Sequence, residues 1–427
     1  MPGSIAVVDS NPPIPEHFEV DDKNLKPNIN CNSKQKKIST TFALINFLKG
    51  MIGAGIFALP LASKQAGLWC AFIVVFIFGI ITAVCMIKVV VSAQYLCERW
   101  IINISVVLLQ LGICTVYYIF IVDHSKEIVE IIWPHSTIHR NIYFLFTLPA
   151  LLVMSLIRSL YILSLFSLLG NVLVFTSLAI ILGELVTFKH IPTYSLPAFT
   201  SLNGLFLAAG SIMYALEGIA TVLPLENKMK HPKEMTGYTG VLSTGASLVT
   251  ILYAACGFYG YITFGDAVQG SITLNLSNSP LNVAVKAMLL CMVCTSFPIM
   301  EYPLVELVWP LVKKPLRRRN VRRFCIIGLE YCFRFFVVFL VFGLAWLIPN
   351  LEQVIPLVGI TAGMLLGLVF PSLIETIVFL PKWWREMALP KLVVILTLNT
   401  FYIVLGIFFV VTGIDANVEN LKRGVSH

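Results

Sequence analysis

Charge is scarce in this sequence. Only 12% of its 427 residues are charged and 58% are hydrophobic, whereas about a quarter of the residues of a soluble protein are charged. The composition excludes a soluble globular chain. Eleven apolar segments are long enough to cross about 30 Å of hydrocarbon, near 42–62, 70–95, 101–122, 142–157, 160–183, 203–225, 238–262, 281–303, 324–348, 354–379 and 391–413. We therefore predict an all-α integral membrane protein with eleven transmembrane helices.

Motifs of soluble enzymes and of metal sites are also missing. The sequence has no P-loop, no GxSxG elbow, no HExxH and no paired catalytic carboxylates. Its ten cysteines lack metal-ligand spacing. All seven histidines fall in predicted tails or loops, so we expect none of them to relay protons inside the membrane: His17, His124, His135, His139, His190, His231 and His427. We predict that the protein is not an enzyme and needs no cofactor and no metal.

The basic residues indicate an orientation in the membrane. The net charge is +8, and lysine and arginine concentrate in alternate connecting segments, on the side that carries the N-terminus. The positive-inside rule predicts a cytoplasmic N-terminus and, after eleven spans, an extracytoplasmic C-terminus. The expected parts are a disordered cytoplasmic tail at 1–41, a transmembrane domain at 42–413 and a short extracytoplasmic tail at 414–427. The basic cluster at 313–323 suits anionic lipid, and nothing indicates nucleic acid.

The first apolar segment is interrupted at its middle by glycine. It is FALINFLKGMIGAGIFALPLA, in which Gly50, Gly53 and Gly55 fall within six residues. Glycine is a poor helix former, and backbone freed from helical bonding is tolerated at that depth only against protein or a water-filled cavity. A helix broken at the midplane is typical of a transporter binding site.

The sixth segment has a matching interruption. It contains Gly210, Gly218 and a charged Glu217 between apolar residues. If segments 1–5 and 6–10 are repeats, the odd number five makes the second copy inverted, and the two broken helices meet at the substrate site. Glycine also allows close packing of membrane helices, which is the alternative explanation of each break.

The two breaks together offer both kinds of backbone group. Gly50, Gly53, Ala54 and Gly55 are too small to block approach to the first break, and the amides at the start of its outer half-helix suit an anion. Carbonyl groups at the second break, at Tyr214, Ala215 and Leu216, can accept bonds from an ammonium group. Donors on one wall and acceptors on the other suit a zwitterion such as an amino acid.

Ionisable side chains inside a membrane are unfavourable by about 2.5–3.5 kcal/mol, so Glu217 is expected to have a task. It can carry a proton, cap the freed amides of the broken helix, or pair with Lys49, which is expected at a similar depth. Four other carboxylates are placed near span ends, where interfacial solvation explains them: Glu301, Glu306, Glu330 and Glu375. Asn275 begins an Asn-Leu-Ser glycosylation sequon in a predicted outside loop.

Several stretches resemble the amino acid/auxin permease family, in particular its proton-coupled amino acid transporter branch. They are LINFLKGMIGAGIFALPLASKQAG at 44–67, QLGICTVYYIFI at 110–121, YALEGIATVLPLENKMKHPKEM at 214–235, GYITFGDAVQGSITLNL at 260–276 and LIPNLEQVIPLVGITAGMLLGLVFPSLIE at 347–375. The resemblance implies a LeuT-like fold, with a 5+5 inverted repeat and one extra helix. It also implies transport of small amino acids together with protons.

The sequence departs from that family at three places. Asn46 stands where the family commonly has a histidine linked with proton sensing, and Met51 and Ala54 replace polar residues of the glycine motif. Spans 2 and 3 are joined only by residues 96–100, where relatives have a longer loop.

We therefore predict a symporter that carries small neutral amino acids by alternating access, in the plasma membrane or an endolysosomal membrane. A sodium-coupled or uncoupled permease stays open, as does a non-transporting amino acid sensor on a lysosomal membrane. A channel is disfavoured, because no ring of repeated polar pore residues is present.

Overall fold

The computed structural model describes residues 38–93, 100–133, 138–226, 229–237, 239–318, 322–348 and 350–425. The predicted disordered tail at 1–41 therefore lies almost wholly outside the described residues. Within these ranges the chain is helical, and β-pairing is limited to an isolated bridge between Ile38 and Met229.

Fourteen α-helices follow one another along the described chain. They are α1 (Thr40–Met51), α2 (Leu59–Ala66), α3 (Leu68–Ala93), α4 (Trp100–Ile132), α5 (Arg140–Ser155), α6 (Leu160–Thr187), α7 (Leu202–Ala215), α8 (Ile219–Glu226), α9 (Val241–Phe264), α10 (Pro280–Arg318), α11 (Arg323–Leu347), α12 (Leu351–Val358), α13 (Phe370–Glu386) and α14 (Leu389–Val425). A 3-10 turn at Ala54–Ala58 leads into α2, and two π-helical turns, Gly359–Gly363 and Leu365–Val369, join α12 to α13.

Eight helical spans in the described chain are long and apolar enough to cross a membrane, and α1 with Ala54–Ala66 makes a ninth that bends by 46°. The predicted fourth and sixth segments fall on shorter apolar helices, α5 and α7. Eleven spans therefore remain a prediction. The last helix continues to Val425, so most of the predicted tail at 414–427 is helical.

The outer faces of these helices are apolar. Large side chains such as Phe146, Phe324 and Leu347 are exposed on the surface of the helical bundle. A soluble protein rarely exposes so many apolar groups, because contact with water opposes it. The long apolar helices and their apolar outer faces are those of an integral membrane protein.

The two interrupted helices pair in reversed order. The first half of one, α1, packs against the second half of the other, α8, while α2 packs against α7. The two breaks, at 52–53 and 216–218, thus lie side by side with the helices running in opposite directions. A glycine-rich break needs such a partner, because its unbonded backbone cannot face lipid.

The helix α7 also lies directly on the backbone of the π-helical segment. A Cβ atom added to Gly359 would stand 1.8 Å from the carbonyl oxygen of Gly210. Backbone-to-backbone contact of this kind requires glycine on both helices. π-Helical turns often occur at functional sites, and this one supports the helix that leads to the second break.

Candidate functional site

A cavity of about 60 Å³ lies where the two interrupted helices meet. Six of the seven residues predicted for a substrate site line it, namely Gly50, Gly53, Ala54, Gly55, Tyr214 and Ala215. The exception is Leu216, which is buried but does not line the cavity. Glu217, the predicted proton-coupling residue, lines it as well. The structure thus brings together, in one cavity, residues more than 150 positions apart in the sequence.

The two breaks approach each other closely at Gly55. A Cβ atom on Gly55 would lie 2.8 Å from the Cα atom of Ala215 and 3.2 Å from the ring of Tyr214. Beside it, a Cβ atom on Gly218 would lie 2.8 Å from the Met51 side chain. The absence of side chains at these two glycines is therefore what lets the broken helices touch.

Hydrogen-bond donors are available at the first break. Among the described residues, no hydrogen bond uses the backbone amides of Gly53, Ala54 or Gly55. The carbonyl of Met51, by contrast, accepts a bond of 2.6 Å from the Tyr253 hydroxyl. Unbonded amides at the start of a helix attract an anionic group, as the sequence predicts for this wall.

Acceptors are available at the second break. The Tyr214 carbonyl accepts from the Glu217 amide at 3.4 Å. The carbonyls of Ala215 and Leu216 accept no hydrogen bond within the described ranges. The polar groups of the two walls thus differ in kind, which is the arrangement that a zwitterion requires.

Sequence reasoning missed a third wall, which α4 supplies. Gln110 and Tyr117 line the cavity together with the apolar side chains of Leu109, Ile113 and, from α10, Met300. Gln110 is 3% exposed, and its Oε1 atom has no hydrogen-bond partner in the described part of the chain. A buried acceptor without a partner is destabilising by about 1–3 kcal/mol, so this oxygen is well suited to a ligand. The sequence feature that could have indicated this wall is Gln110 itself, a polar residue inside an apolar span.

Glu217 acts as a cap in this conformation. Its Oε1 atom accepts a hydrogen bond of 3.1 Å from the amide of Ile219, the first residue of α8. A carboxylate at that position compensates the positive end of the half-helix. Lys49 is half-buried in the last turn of α1. The predicted Lys49–Glu217 ion pair is absent from the described ion pairs, because the carboxylate turns to the helix start instead.

The prediction that every histidine lies in a tail or loop is wrong for His124. Helix α4 continues to Ile132, so His124 is in a helix, fully buried and stacked on Phe120. Its Nε2 atom is 2.6 Å from the Thr273 hydroxyl and its Nδ1 atom is 3.0 Å from the Phe120 carbonyl. The sequence feature that indicates the longer helix is the spacing of Lys126 and Glu130. Residues four apart lie on the same face of a helix, and these two form an ion pair there.

The prediction that interfacial solvation explains Glu301 is also wrong. Helix α10 runs on to Arg318, which places Glu301 in its interior, where it is 1% exposed. The sequence predicts that this helix ends earlier, at residue 303, because the prediction follows the average length of a membrane span. Glu330 is also buried, whereas Glu306 is exposed and Glu375 is partly exposed, beside Lys88.

Asn275, the predicted glycosylation residue, holds its own loop together. Its Nδ2 atom donates to the Ala267 carbonyl at 2.7 Å, and its Oδ1 atom accepts from the Gln269 amide at 2.9 Å. A glycosylated asparagine keeps one N–H group, so the modification is compatible with one donated bond. Glycosylation of Asn275 stays a prediction.

Comparison with known proteins identifies relatives over most of the chain. The family described as "Transmembrane amino acid transporter protein" matches residues 36–416. The chain is 28% identical over 427 aligned residues to a protein named "Probable amino acid transporter skat-1" from Caenorhabditis elegans, covering 91% of each chain. It is also 28% identical over 327 residues to "Proton-coupled amino acid transporter-like protein pathetic" from Drosophila melanogaster, covering 74% of this chain and 64% of that protein.

Proposed function

Since this chain belongs to the transmembrane amino acid transporter family, we propose that it is a secondary active transporter of small neutral amino acids. It works by alternating access and couples amino acid movement to protons. One observation carries the proposal: the cavity at the junction of the two interrupted helices, lined by residues of both breaks. The name of the Drosophila relative supports the choice of the proton over sodium.

The proposed substrate pose follows from the polar groups around the cavity. The carboxylate of the amino acid accepts from the amides of Gly53, Ala54 and Gly55. Its ammonium group donates to the Ala215 carbonyl and to Oε1 of Gln110, which both belong to residues that line the cavity. The Gln110 contact is a charge-assisted hydrogen bond to an acceptor that is otherwise unpaired.

The size of the cavity supports a small substrate. A volume of about 60 Å³ corresponds to roughly four to six water-sized positions, which suits glycine or alanine better than an aromatic amino acid. Apolar Ile113 and Met300 face the same space, so a short apolar side chain is the best match.

The proposed architecture is LeuT-like, with eleven spans and a second repeat that is inverted. The antiparallel pairing of α1 with α8 and of α2 with α7 supports it, because inverted repeats bring their first helices together in this way. The N-terminus is proposed to be cytoplasmic and the C-terminus extracytoplasmic. The membrane is the plasma membrane or an endolysosomal one.

Glu217 has two proposed roles that a single variant separates. Glutamine at 217 retains an oxygen that can accept from the Ile219 amide, so it preserves the cap but cannot titrate. If Glu217 couples transport to protons, Glu217→Gln abolishes the pH dependence of flux in a folded protein. If Glu217 serves only as the cap, the pH dependence survives.

The proposed function is tested by uptake into proteoliposomes that contain the purified protein. We expect labelled glycine, alanine and proline to accumulate under an inward proton gradient, with less accumulation under a sodium gradient alone. Absence of flux for all amino acids under every gradient would contradict transport. Saturable binding without flux would instead identify the protein as an amino acid sensor.

A further inference from the structure

A second carboxyl group is buried in the bundle, away from the capping contact of Glu217. Glu301 lies on α10 next to Met300, which lines the substrate cavity. Cys114 lies one helical turn beyond the cavity-lining Gln110 on α4, the helix that packs against α10. Glu301 is 1% exposed, and none of the ion pairs in the described part of the chain includes it.

The two oxygens of this carboxyl group have different surroundings. The Oε1 atom accepts a hydrogen bond of 2.7 Å from the Ser155 hydroxyl. The Oε2 atom is buried and has no hydrogen-bond partner among the described residues. An ionised carboxylate with a bare buried oxygen is strongly unfavourable, and a proton on Oε2 removes that charge.

Charged side chains of α11 lie close by without neutralising Glu301 directly. Arg334 Nη1 donates to the Ser155 carbonyl at 3.3 Å, and Arg334 Nη2 is 3.7 Å from Oε1 of Glu330. The Oε2 atom of Glu330 is 3.0 Å from Nη2 of Arg158. Two arginines thus contact the carboxyl group of Glu330, and Arg334 also contacts Ser155, the residue that donates to Glu301. The guanidinium of Arg334 can stabilise a negative charge on Glu301, and a proton on Oε2 removes that charge, so the surroundings can accommodate the carboxyl group in either form.

The same residues lead from the bundle interior to its surface. Glu301 and Arg334 are buried, whereas the Arg158 side chain is 39% exposed. They join α10, the end of α5 and α11. Because this polar cluster extends to the surface, water can approach the buried carboxyl group along it and exchange a proton with Glu301.

We propose that Glu301 binds the transported proton, at a site separate from Glu217. The inference rests on the proposed function, since it assigns the ion step of that transport cycle. In the step, a proton from water on one side of the membrane forms an O–H bond with Oε2. That bond breaks after the conformational change, and the proton passes to water on the other side.

A proton fits this site better than a metal cation does. Hard cations require several oxygen ligands, and among the described residues no group of three or more His, Cys, Asp or Glu side chains could hold a metal ion. The hydrogen bond described for the Glu301 carboxyl group comes from a single hydroxyl, that of Ser155. A nearby arginine also disfavours a second cation but tolerates a neutral carboxyl group.

The test compares Glu301→Gln with Glu306→Gln in proteoliposomes. Glu306 is on the same helix and exposed, so the control applies the same chemical change outside the proposed site. Two quantities are measured for labelled alanine: accumulation under an inward proton gradient, and exchange against unlabelled alanine at equal pH. Exchange needs the substrate site and the conformational change but no net proton movement.

We expect Glu301→Gln to reduce proton-driven accumulation at least tenfold while exchange stays within about twofold of the wild type. Glu306→Gln should retain both activities. The inference is overturned if Glu301→Gln accumulates alanine in response to the proton gradient as the wild type does. Wild-type protein without flux would instead refute the proposed function, so the two failures are distinguishable.

A second variant covers the case in which Glu301→Gln does not fold. Ser155→Ala removes the hydroxyl that donates to Oε1 but leaves the carboxyl group in place. Because that bond favours the ionised form, its loss should shift the midpoint of the pH profile of uptake to higher pH. An unchanged midpoint in a folded Ser155→Ala protein would contradict the role of Glu301.

Discussion

Gly55 and Gln110 contribute to the same cavity in opposite ways. At Gly55 the lack of a side chain allows the first break to touch Ala215 of the second. At Gln110 a buried side chain presents an oxygen for which the described residues provide no partner. At the residue scale, therefore, the site combines a close backbone contact with a buried acceptor that has no partner among the described residues.

Replacing Gly55 with alanine should separate the two breaks. The new Cβ atom would lie 2.8 Å from the Ala215 Cα atom, and such overpacking typically destabilises a core by about 1–3 kcal/mol. We expect alanine uptake by Gly55→Ala to fall at least tenfold. Gly183→Ala is the control, because no atom lies within 4 Å of a Cβ atom at that position. Equal uptake by the two variants would show that the close contact at Gly55 is not required for transport.

Replacing Gln110 with leucine should weaken recognition of the ammonium group. Loss of a hydrogen bond to a charged group typically weakens binding by about 1.5–3 kcal/mol, so affinity for alanine should fall by roughly 10- to 100-fold. The affinity of trimethylated alanine, which has no N–H donor, should change much less. A calorimetric or competition assay gives both values. If both ligands lose affinity equally, the effect of Gln110 is structural.

At the scale of the element, the interrupted helices depend on the elements that hold them. The helix α7 rests on the π-helical turn Gly359–Gly363, and α8 begins with an amide that Glu217 caps. Short half-helices are marginal by themselves, so their contacts with neighbouring elements have to supply their stability.

Gly359→Ala should disturb the packing of α7 on the π-helical turn. Its Cβ atom would overlap the Gly210 carbonyl oxygen, and the two backbones would have to move apart. We expect a lower melting temperature in detergent for Gly359→Ala than for Gly343→Ala, a helical glycine with open space around it. Identical melting temperatures would show that the close approach is dispensable.

The sequence predicts the positions of the two helix breaks well. Gly53, Gly55 and the charged Glu217 are unfavourable inside a membrane helix whatever surrounds it, so they can be recognised from the sequence alone. The sequence does not predict the contribution of α4, since burial of Gln110 depends on which helices surround it. For a related reason, the sequence predicts that α4 and α10 end earlier than they do in the structure. Helices can extend beyond an average bilayer thickness when other helices cover them, and this coverage decides the environments of His124 and Glu301.

At the scale of the whole molecule, the proposed alternating access would use two sets of the described helices. Two broken helices meet at a small cavity, and longer helices such as α4 and α10 pack around them. Movement of the broken pair against these longer helices would open the cavity to one side at a time. The amino acid and the proton would bind at neighbouring places, the cavity and Glu301, so one movement could carry both.

The most direct test of this account is concentrative uptake of labelled alanine into proteoliposomes under an inward proton gradient. We expect accumulation above the external concentration, and loss of that accumulation when a protonophore collapses the gradient. Accumulation that is unaffected by the protonophore would contradict proton coupling. No uptake by correctly folded protein would contradict the proposal that the cavity between the two broken helices is a transport site.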